Sequence, residues 1–595
     1  MQVKIVEYFG FIRKSFFFIN LLILSSCSHT MQAPVVELPS VDSHVRPVPI
    51  ATQEKGEGVG HKWIVSTQGQ HTTEIANSVL KSGGNLIDAA VAASFAISVE
   101  RPHSTGIGGG GFLIYHEAKS GKNFVFDFRE RAPAQAKSDM YLDATGKVVP
   151  ERSVTGALAV AVPGLVRGLK KVHSQFGKTP WGKIVQPAKD LAERGFRIYP
   201  ALAHAIEEER LQLSEFKDSR LIFLNKKGAP RKEGDLLIQR DLGRSLGLIA
   251  INPEIFYTGS ISKKIVSSMN AHAGILSAED LKTYSVKERK AVEADWKGFH
   301  VISMPPPSSG GVHVIQILKM LEQDDLNHTG FMSAQSLHLT ASAMQQAFVD
   351  RAMYLGDPDF VKVPVAGLIS DSYLRELRER FNVSRARKMN EVSPGKITPE
   401  KDHFETTHFS LMDQEGNVVV STQTINGYFG SKMIAEGTGI MLNNEMDDFS
   451  AKVGAKNIFG ATSSSLANEV QAGKTPLSSM SPTIILKDGK PILALGAPGG
   501  TRIITAVAQT ILNYLVYHKS LYTSVASPRI HQQWQPDELM IENQSVSPEL
   551  LRGLMDRGWK VKRVPAQSNV MAVAREGDLL RGVSDPRDAG TSLGF

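Results

Sequence analysis

The stretch from Thr406 to Thr424 constrains the fold most. Two runs, Thr406-Thr407-His408-Phe409-Ser410-Leu411-Met412 and Val418-Val419-Val420-Ser421-Thr422-Gln423-Thr424, flank the polar Asp413-Gln414-Glu415-Gly416-Asn417. Short β-rich runs around a glycine-containing turn predict a β-hairpin. Nothing local requires a hairpin to open on two threonines. A chain cut before Thr406 supplies a reason, because its hydroxyl would then sit beside a free α-amine, nucleophile and general base in one residue. An α-amine has an unperturbed pKa of roughly 7.7–8.0 against about 10.4 for lysine, so holding it neutral at pH 7 costs ~3 kcal/mol less. Taken alone, the pair reads rather as a Thr-rich strand, and the rest of the chain must decide.

The bulk properties narrow the field. The 595 residues suffice for two to four ordinary domains or one large interlocked one. Hydrophobic residues at 42% and charged residues at 21% match a soluble globular protein. The net charge of +7 includes no long basic run, which argues against nucleic-acid binding. Cys27 is the sole cysteine, so no intramolecular disulfide can form. It follows a positive segment (Lys4, Arg13, Lys14) and the apolar run Ser15–Leu24. Ten residues fall short of the ~20 needed to span a bilayer, so residues 1–26 read as an export signal. Leu24-Ser25-Ser26-Cys27 resembles the lipobox of bacterial lipoproteins, which implies lipidation of Cys27. Ser28 after it leans toward the outer membrane by resemblance to sorting patterns, and the expected location is periplasmic. Residues 27–60 are polar, lack periodicity and read as a tether.

The body opens with the strand-like Trp63–Thr67, followed by Thr73–Leu80 and the Ala-rich Asn85–Val99, whose small residues suit a buried helix. Gly106-Ile107-Gly108-Gly109-Gly110-Gly111 satisfies G-x-G-x-x-G, but a helix precedes it and a strand follows, the reverse of a dinucleotide site. Close backbone approach is the better reason for these glycines. Phe124–Glu130 alternates like a strand and carries Asp127-Phe128-Arg129-Glu130. From Leu158 to about Glu400 the pattern is largely helical, for example over Trp181–Arg194 and Ser333–Arg351. It is punctuated by Met304-Pro305-Pro306-Pro307-Ser308-Ser309-Gly310-Gly311 and Tyr354-Leu355-Gly356-Asp357-Pro358. No His/Cys cluster has metal-ligand spacing, so neither metal nor cofactor is expected. His403 and His408 fit no ligand motif and read as structural. The polar segment from Ser393 to Glu405 reads as an accessible precursor loop.

Downstream of the hairpin come Leu442-Asn443-Asn444-Glu445-Met446-Asp447-Asp448-Phe449-Ser450, Pro476-Leu477-Ser478-Ser479-Met480-Ser481-Pro482 and Gly496-Ala497-Pro498-Gly499-Gly500. With Thr406, these closely resemble the small subunit of the γ-glutamyltranspeptidases, members of the N-terminal nucleophile hydrolases. The resemblance runs from about Gly60 to Phe595. It implies an α+β fold, a four-layer αββα sandwich with a largely helical large-subunit portion. It also implies autocatalytic cleavage at Glu405–Thr406 into a large subunit (61–405) and a small one (406–595) that stay associated.

By the same resemblance, Thr406 attacks the γ-carbonyl of glutathione or another γ-glutamyl compound. The resulting ester passes to water or to an amino acid or dipeptide acceptor. Gly499 and Gly500 match the backbone donors of an oxyanion hole, and Thr424 matches the threonine that contacts the nucleophile. Arg129, Ser478 and Ser479 match positions that hold the substrate α-carboxylate, a task to which the planar guanidinium is suited. Asn426, Glu445 and Asp448 match those that hold the α-amine. Related acylases accept glutaryl groups without that amine, and an unpaired buried carboxylate at Asp448 would be costly for them. Val453–Gly460 resembles a lid loop in which Phe459 replaces a common tyrosine and loses its bond to the residue matching Asn426. The alternatives are an acylase of the same superfamily and a solute-binding lipoprotein, which would remain a single chain.

Overall fold

The computed structural model describes residues 54–395, 407–452, 454–455, 457–458 and 465–595. Fourteen strands build two seven-stranded antiparallel sheets. In chain order they are β1 Glu57–Gly60, β2 Trp63–Thr67, β3 Gly110–Glu117, β4 Lys122–Asp127, β5 Lys287–Arg289, β6 Val292–Trp296, β7 Phe299–Ser303, β8 Thr407–Asp413, β9 Val418–Thr424, β10 Thr483–Lys487, β11 Lys490–Gly496, β12 Met571–Glu576, β13 Leu579–Ser584 and β14 Thr591–Gly594. One sheet has the order β14-β2-β8-β9-β3-β4-β5 and the other β1-β13-β12-β11-β10-β7-β6. Their facing sides pack Ile64, Phe112, Ile114, Met412 and Val420 of the first against Ile302, Ile484, Ala494 and Val573 of the second. Face-to-face sheets of this kind form the centre of a sandwich.

Helices cover both outer faces. Over the first sheet lie α1 Gln70–Lys81, α2 Leu86–Glu100, α3 Leu165–Phe176, α4 Trp181–Arg194 and α5 Arg240–Ile251. Over the second lie α6 Gly310–Met320, α7 Ala334–Tyr354, α8 Asp371–Glu379, α9 Arg502–Ile511 and α10 Pro548–Asp556. The result is the four-layer αββα arrangement. Helix α2 shows why the Ala-rich segment matters: all fifteen of its residues are buried, and small side chains let helix and sheet approach closely. Asn85 caps it, its side chain accepting from the Asp88 amide while the Asp88 carboxylate accepts from the Asn85 amide.

The hairpin forms as its pattern requires, with Thr407 opposite Gln423 and Met412 opposite Val418. It occupies the centre of the first sheet, flanked by β2 and β3, so both of its faces are buried. The helical span between Leu158 and Glu400 also holds β5, β6 and β7, which carry the chain from the first sheet to the second.

One boundary moves. The tether expected through residue 60 ends earlier, because Glu57–Gly60 pairs with β13 as an edge strand. Its glycines erase the alternation that would have marked a strand, and they are required. A Cβ on Gly58 would lie 2.3 Å from the Ser592 carbonyl oxygen.

Candidate active site

The site forms where the hairpin's open end meets the glycine run. Thr424, the last residue of β9, stands opposite Gly110, the first of β3. A Cβ on Gly109 would lie 1.9 Å from the Thr424 carbonyl oxygen, and one on Gly108 2.2 Å from that of Met441. The glycines therefore serve close backbone approach, as read. Asn443 then ties the segments together. Its amide donates to the carbonyls of Gly108 (2.8 Å) and Ala161 (2.9 Å), while its carbonyl oxygen accepts from the Glu445 amide (3.0 Å).

Arg129 lies two residues past β4 and is fully buried. Its guanidinium donates to Glu445 Oε1 (2.5 Å), Asp448 Oδ2 (2.5 Å) and the Pro476 carbonyl (2.8 Å). Sequence reasoning assigned Arg129 to a carboxylate and the two acids to an amine. The structure brings all three together as a closed ion-pair cluster. Five acceptor atoms at this site have no hydrogen-bond partner among the described residues: Asn426 Oδ1, Glu445 Oε2, Asp448 Oδ1 and both carboxylate oxygens of Glu130. Asn426 is held in a left-handed conformation (φ 71°) by bonds from its backbone amide to Thr424 Oγ1 (2.7 Å) and from its side chain to the Asn444 carbonyl (3.0 Å).

Ser478 and Ser479 are buried on the turn that rests on Arg129. Ser308 and Ser309 of the Pro-Pro-Ser-Ser motif hold that turn through the Ser478 carbonyl, which gives the motif its scaffold role. Ser478 Oγ accepts from the Met480 amide (3.1 Å) and Ser479 Oγ from Arg351 (3.3 Å). Gly499 and Gly500 lie between β11 and α9 with φ 124° and 61°, and their amides find no acceptor among the described residues. β11 ends at Gly496, facing across from the second sheet to the His408 ring near the head of the hairpin in the first. Thr406, Cys27 and Phe459 lie outside the described residues.

Four contributors escaped the sequence reading. Glu130 is fully buried, and neither of its carboxylate oxygens has an ion-pair partner. Burial raises the pKa of Glu130, Glu445 and Asp448 alike, and one guanidinium cannot offset three buried carboxylates. The cluster therefore keeps a proton near neutrality, held between Glu445, raised well above the usual carboxylate range, and its neighbour Glu130, pushed up to about 7. Its only sequence signal was adjacency to Arg129. Arg351 had none, being one arginine in a long helix. Asn443 stood in a quoted motif without a role. Gln68 accepts from Thr407 Oγ1 (2.7 Å) and donates to Asp588 (3.1 Å), tying the head of β8 to the loop before α1.

His408 is structural. It bonds Thr422 and Ser410 inside the sheet, and burial lowers its pKa to about 3. No group of three or more His, Cys, Asp or Glu side chains among the described residues is placed to hold a metal. A surface cleft of about 990 Å³ between α4 and α5 contains none of the residues above.

Two comparisons place the architecture. The crystal structure of a cephalosporin acylase from Bacillus halodurans superposes with a TM-score of 0.81 at 24% identity, covering 93% of this chain and 99% of that one, so the two share a fold. That fold is the four-layer αββα sandwich described above. A family model for gamma-glutamyltranspeptidase matches residues 72–595, and the chain belongs to that family. It is 42% identical over 528 residues to the glutathione hydrolase proenzyme of Escherichia coli (strain K12), covering 88% of this chain and 90% of that protein. The crystal structure of Helicobacter pylori γ-glutamyltranspeptidase is 38% identical with a TM-score of 0.55, covering 58% of this chain and 97% of that one.

Proposed function

We propose that the chain is a self-processing γ-glutamyltransferase and glutathione hydrolase. The observation that carries the substrate class is the buried set of Arg129, Glu130, Glu445 and Asp448. A free glutamyl end is a zwitterion, with an ammonium and a carboxylate on one carbon. The cluster offers both signs, with unpartnered oxygens on Glu445 and Asp448, and on the adjoining Asn426, to accept from the ammonium. On binding, the substrate exchanges partners with the protein: its carboxylate takes the guanidinium, supported by Ser478 and Ser479, and its ammonium takes Asn426, Glu445 and Asp448.

The chemistry follows from Thr406. Cleavage at Glu405–Thr406 frees its amine, which takes the hydroxyl proton as the oxygen attacks the γ-carbonyl. The electrons of the carbonyl π bond move to oxygen, and the Gly499 and Gly500 amides receive that oxyanion. Collapse expels the donor amine, which leaves with the proton, and a γ-glutamyl ester stays on Thr406. Water or an amino acid or dipeptide then releases the glutamyl group. Thr424 Oγ1 accepts from the Asn426 amide, so its own hydrogen is free to reach the nucleophile. For localisation, the proposal keeps the export signal in residues 1–26, the lipid on Cys27 and a periplasmic site, with the outer membrane favoured. It rests on the basic-apolar-Cys order alone.

The direct test is turnover of a γ-glutamyl anilide by the purified protein beside Arg129→Lys. Bidentate recognition lost, kcat/KM falls by about 10²-fold or more. An unchanged value would contradict the pocket. Equal labelling of wild type and Cys27→Ala by a palmitate analogue would contradict the lipid anchor.

A further inference from the structure

The peptide between Pro498 and Gly499 is held by a residue far along the chain. Ser568 donates from Oγ to the Pro498 carbonyl (2.5 Å). A trans peptide is planar, so its C=O and N–H point in opposite directions. Fixing the Pro498 oxygen on one side therefore fixes the Gly499 N–H on the other. Ser568 also fills the space behind Gly499, where a Cβ would lie 2.4 Å from the serine oxygen.

Ser568 is itself constrained. It has φ 69°, a conformation that costs a non-glycine residue energy and persists only when its surroundings impose it. A buried cage of four charges does so. Arg529 donates to the Ser568 carbonyl (2.6 Å) and Glu542 accepts from the Gln567 amide (2.9 Å). Asp585 accepts from the Val570 amide (3.0 Å). Arg529 pairs with Asp585, and Arg587 pairs with both Asp585 and Glu542. Such investment around one backward-facing serine is unexplained by packing alone, since the serine's own contact is a single carbonyl.

We propose that Ser568 is the positioning residue of the oxyanion hole, a latch that stops the Pro498–Gly499 peptide from flipping and keeps the Gly499 amide aimed at the reacting carbonyl. This rests on the reading of Gly499 and Gly500 as that hole. Released from the latch, the peptide can turn its carbonyl inward, which removes a donor and places a partial negative charge where the oxyanion forms.

The test compares processed wild type with Ser568→Gly, which suits the backbone conformation, and Ser568→Ala, which retains the Cβ. Four quantities are measured: kcat and KM for a γ-glutamyl anilide, affinity for a boronate analogue of the γ-glutamyl group that forms a tetrahedral adduct, and affinity for glutamate. Loss of one oxyanion donor typically costs about 10²–10³ in kcat, and a loosened donor part of that. The expected result is a fall of about 10- to 100-fold in kcat and in boronate affinity for both variants, with KM and glutamate affinity within about twofold. Boronate affinity and kcat unchanged, or glutamate affinity lost in parallel, would overturn the latch. Wild type that binds the boronate no better than glutamate would overturn the hole itself, and the latch with it.

Discussion

At the scale of single residues, the site is a problem in charge arithmetic. Arg129 faces three carboxyls, all buried, and the surplus proton lies between Glu445, raised well above the usual range, and Glu130, pushed up to about 7. An arriving glutamyl end brings an ammonium and a carboxylate together, so the net charge of the site is unchanged and the surplus proton has no electrostatic reason to leave. Donor binding near pH 7 should therefore release or take up well under one proton. Calorimetry in buffers of different ionisation enthalpy reads this directly, and release of a full proton would contradict the exchange of partners. Arg129→Ala leaves Glu445 and Asp448 buried without a counter-charge, and breaking such a pair costs about 3–5 kcal/mol. A denaturation midpoint shift much smaller than that would mean the acids had found solvent. Of these residues, Arg129, Glu445 and Asp448 were legible because they stood in motifs with chemistry attached. Glu130 was not, because burial of a carboxyl beside an arginine cannot be read from adjacency.

At the scale of elements, helix α7 serves the precursor loop. Asp350 accepts from the Gly395 amide (3.3 Å) and from Tyr373 (2.8 Å), Gln346 donates to the Ser393 carbonyl (3.0 Å) and Tyr354 donates to the Gly395 carbonyl. Gly395 is the last described residue before the scissile segment, so α7 fixes the root from which that segment leaves. Misplacement by ~1 Å at a reacting centre can cost about 10²-fold. Asp350→Ala should accordingly slow self-cleavage by about 10- to 100-fold while leaving turnover by the matured fraction near wild type. Gel densitometry over time checks this, and an unchanged cleavage rate would limit α7 to packing. The hairpin, the helices at 85–99, 181–194 and 333–351, and the closely packed glycine run were all readable from periodicity and turn chemistry. β1 was not, since Glu-Gly-Val-Gly offers no alternation, and the cage around Ser568 joins residues from Arg529 to Arg587 that only the tertiary fold brings together.

At the scale of the whole molecule, the two segments on either side of Glu405–Thr406 are interleaved. In the first sheet β2 lies between β14 and β8, and β9 pairs with β3; in the second β1 pairs with β13 and β10 with β7. A cut at that peptide leaves these strand pairs intact, so gel filtration should give one species that denaturing electrophoresis resolves into two chains. Two separate native species would contradict the interleaving. The pH dependence of stability also follows from buried groups. His103, His313, His408 and His531 are depressed by burial to about 3, and their contribution is lost as pH falls below ~6.5. Glu130 and Asp350 are raised by burial to about 7, Asp413 and Asp447 to about 6, and their contribution is lost as pH rises through those values. Asp357, Glu445 and Asp448 are raised and His338 lowered in the same way. Seven carboxyls thus oppose five imidazoles, so Tm should hold or rise slightly as pH falls from about 6 to about 4.5, then fall below ~4; a steep decline from pH 6 to 5 would contradict it. Everything above depends on Thr406 becoming a chain terminus. Intact mass and N-terminal sequencing of the purified protein, beside Thr406→Ala, test that most directly. Wild type should yield a small chain beginning Thr-Thr-His-Phe, and the variant an uncut chain. A wild-type chain that stays whole yet turns over a γ-glutamyl anilide, or a variant that still cleaves, would contradict it.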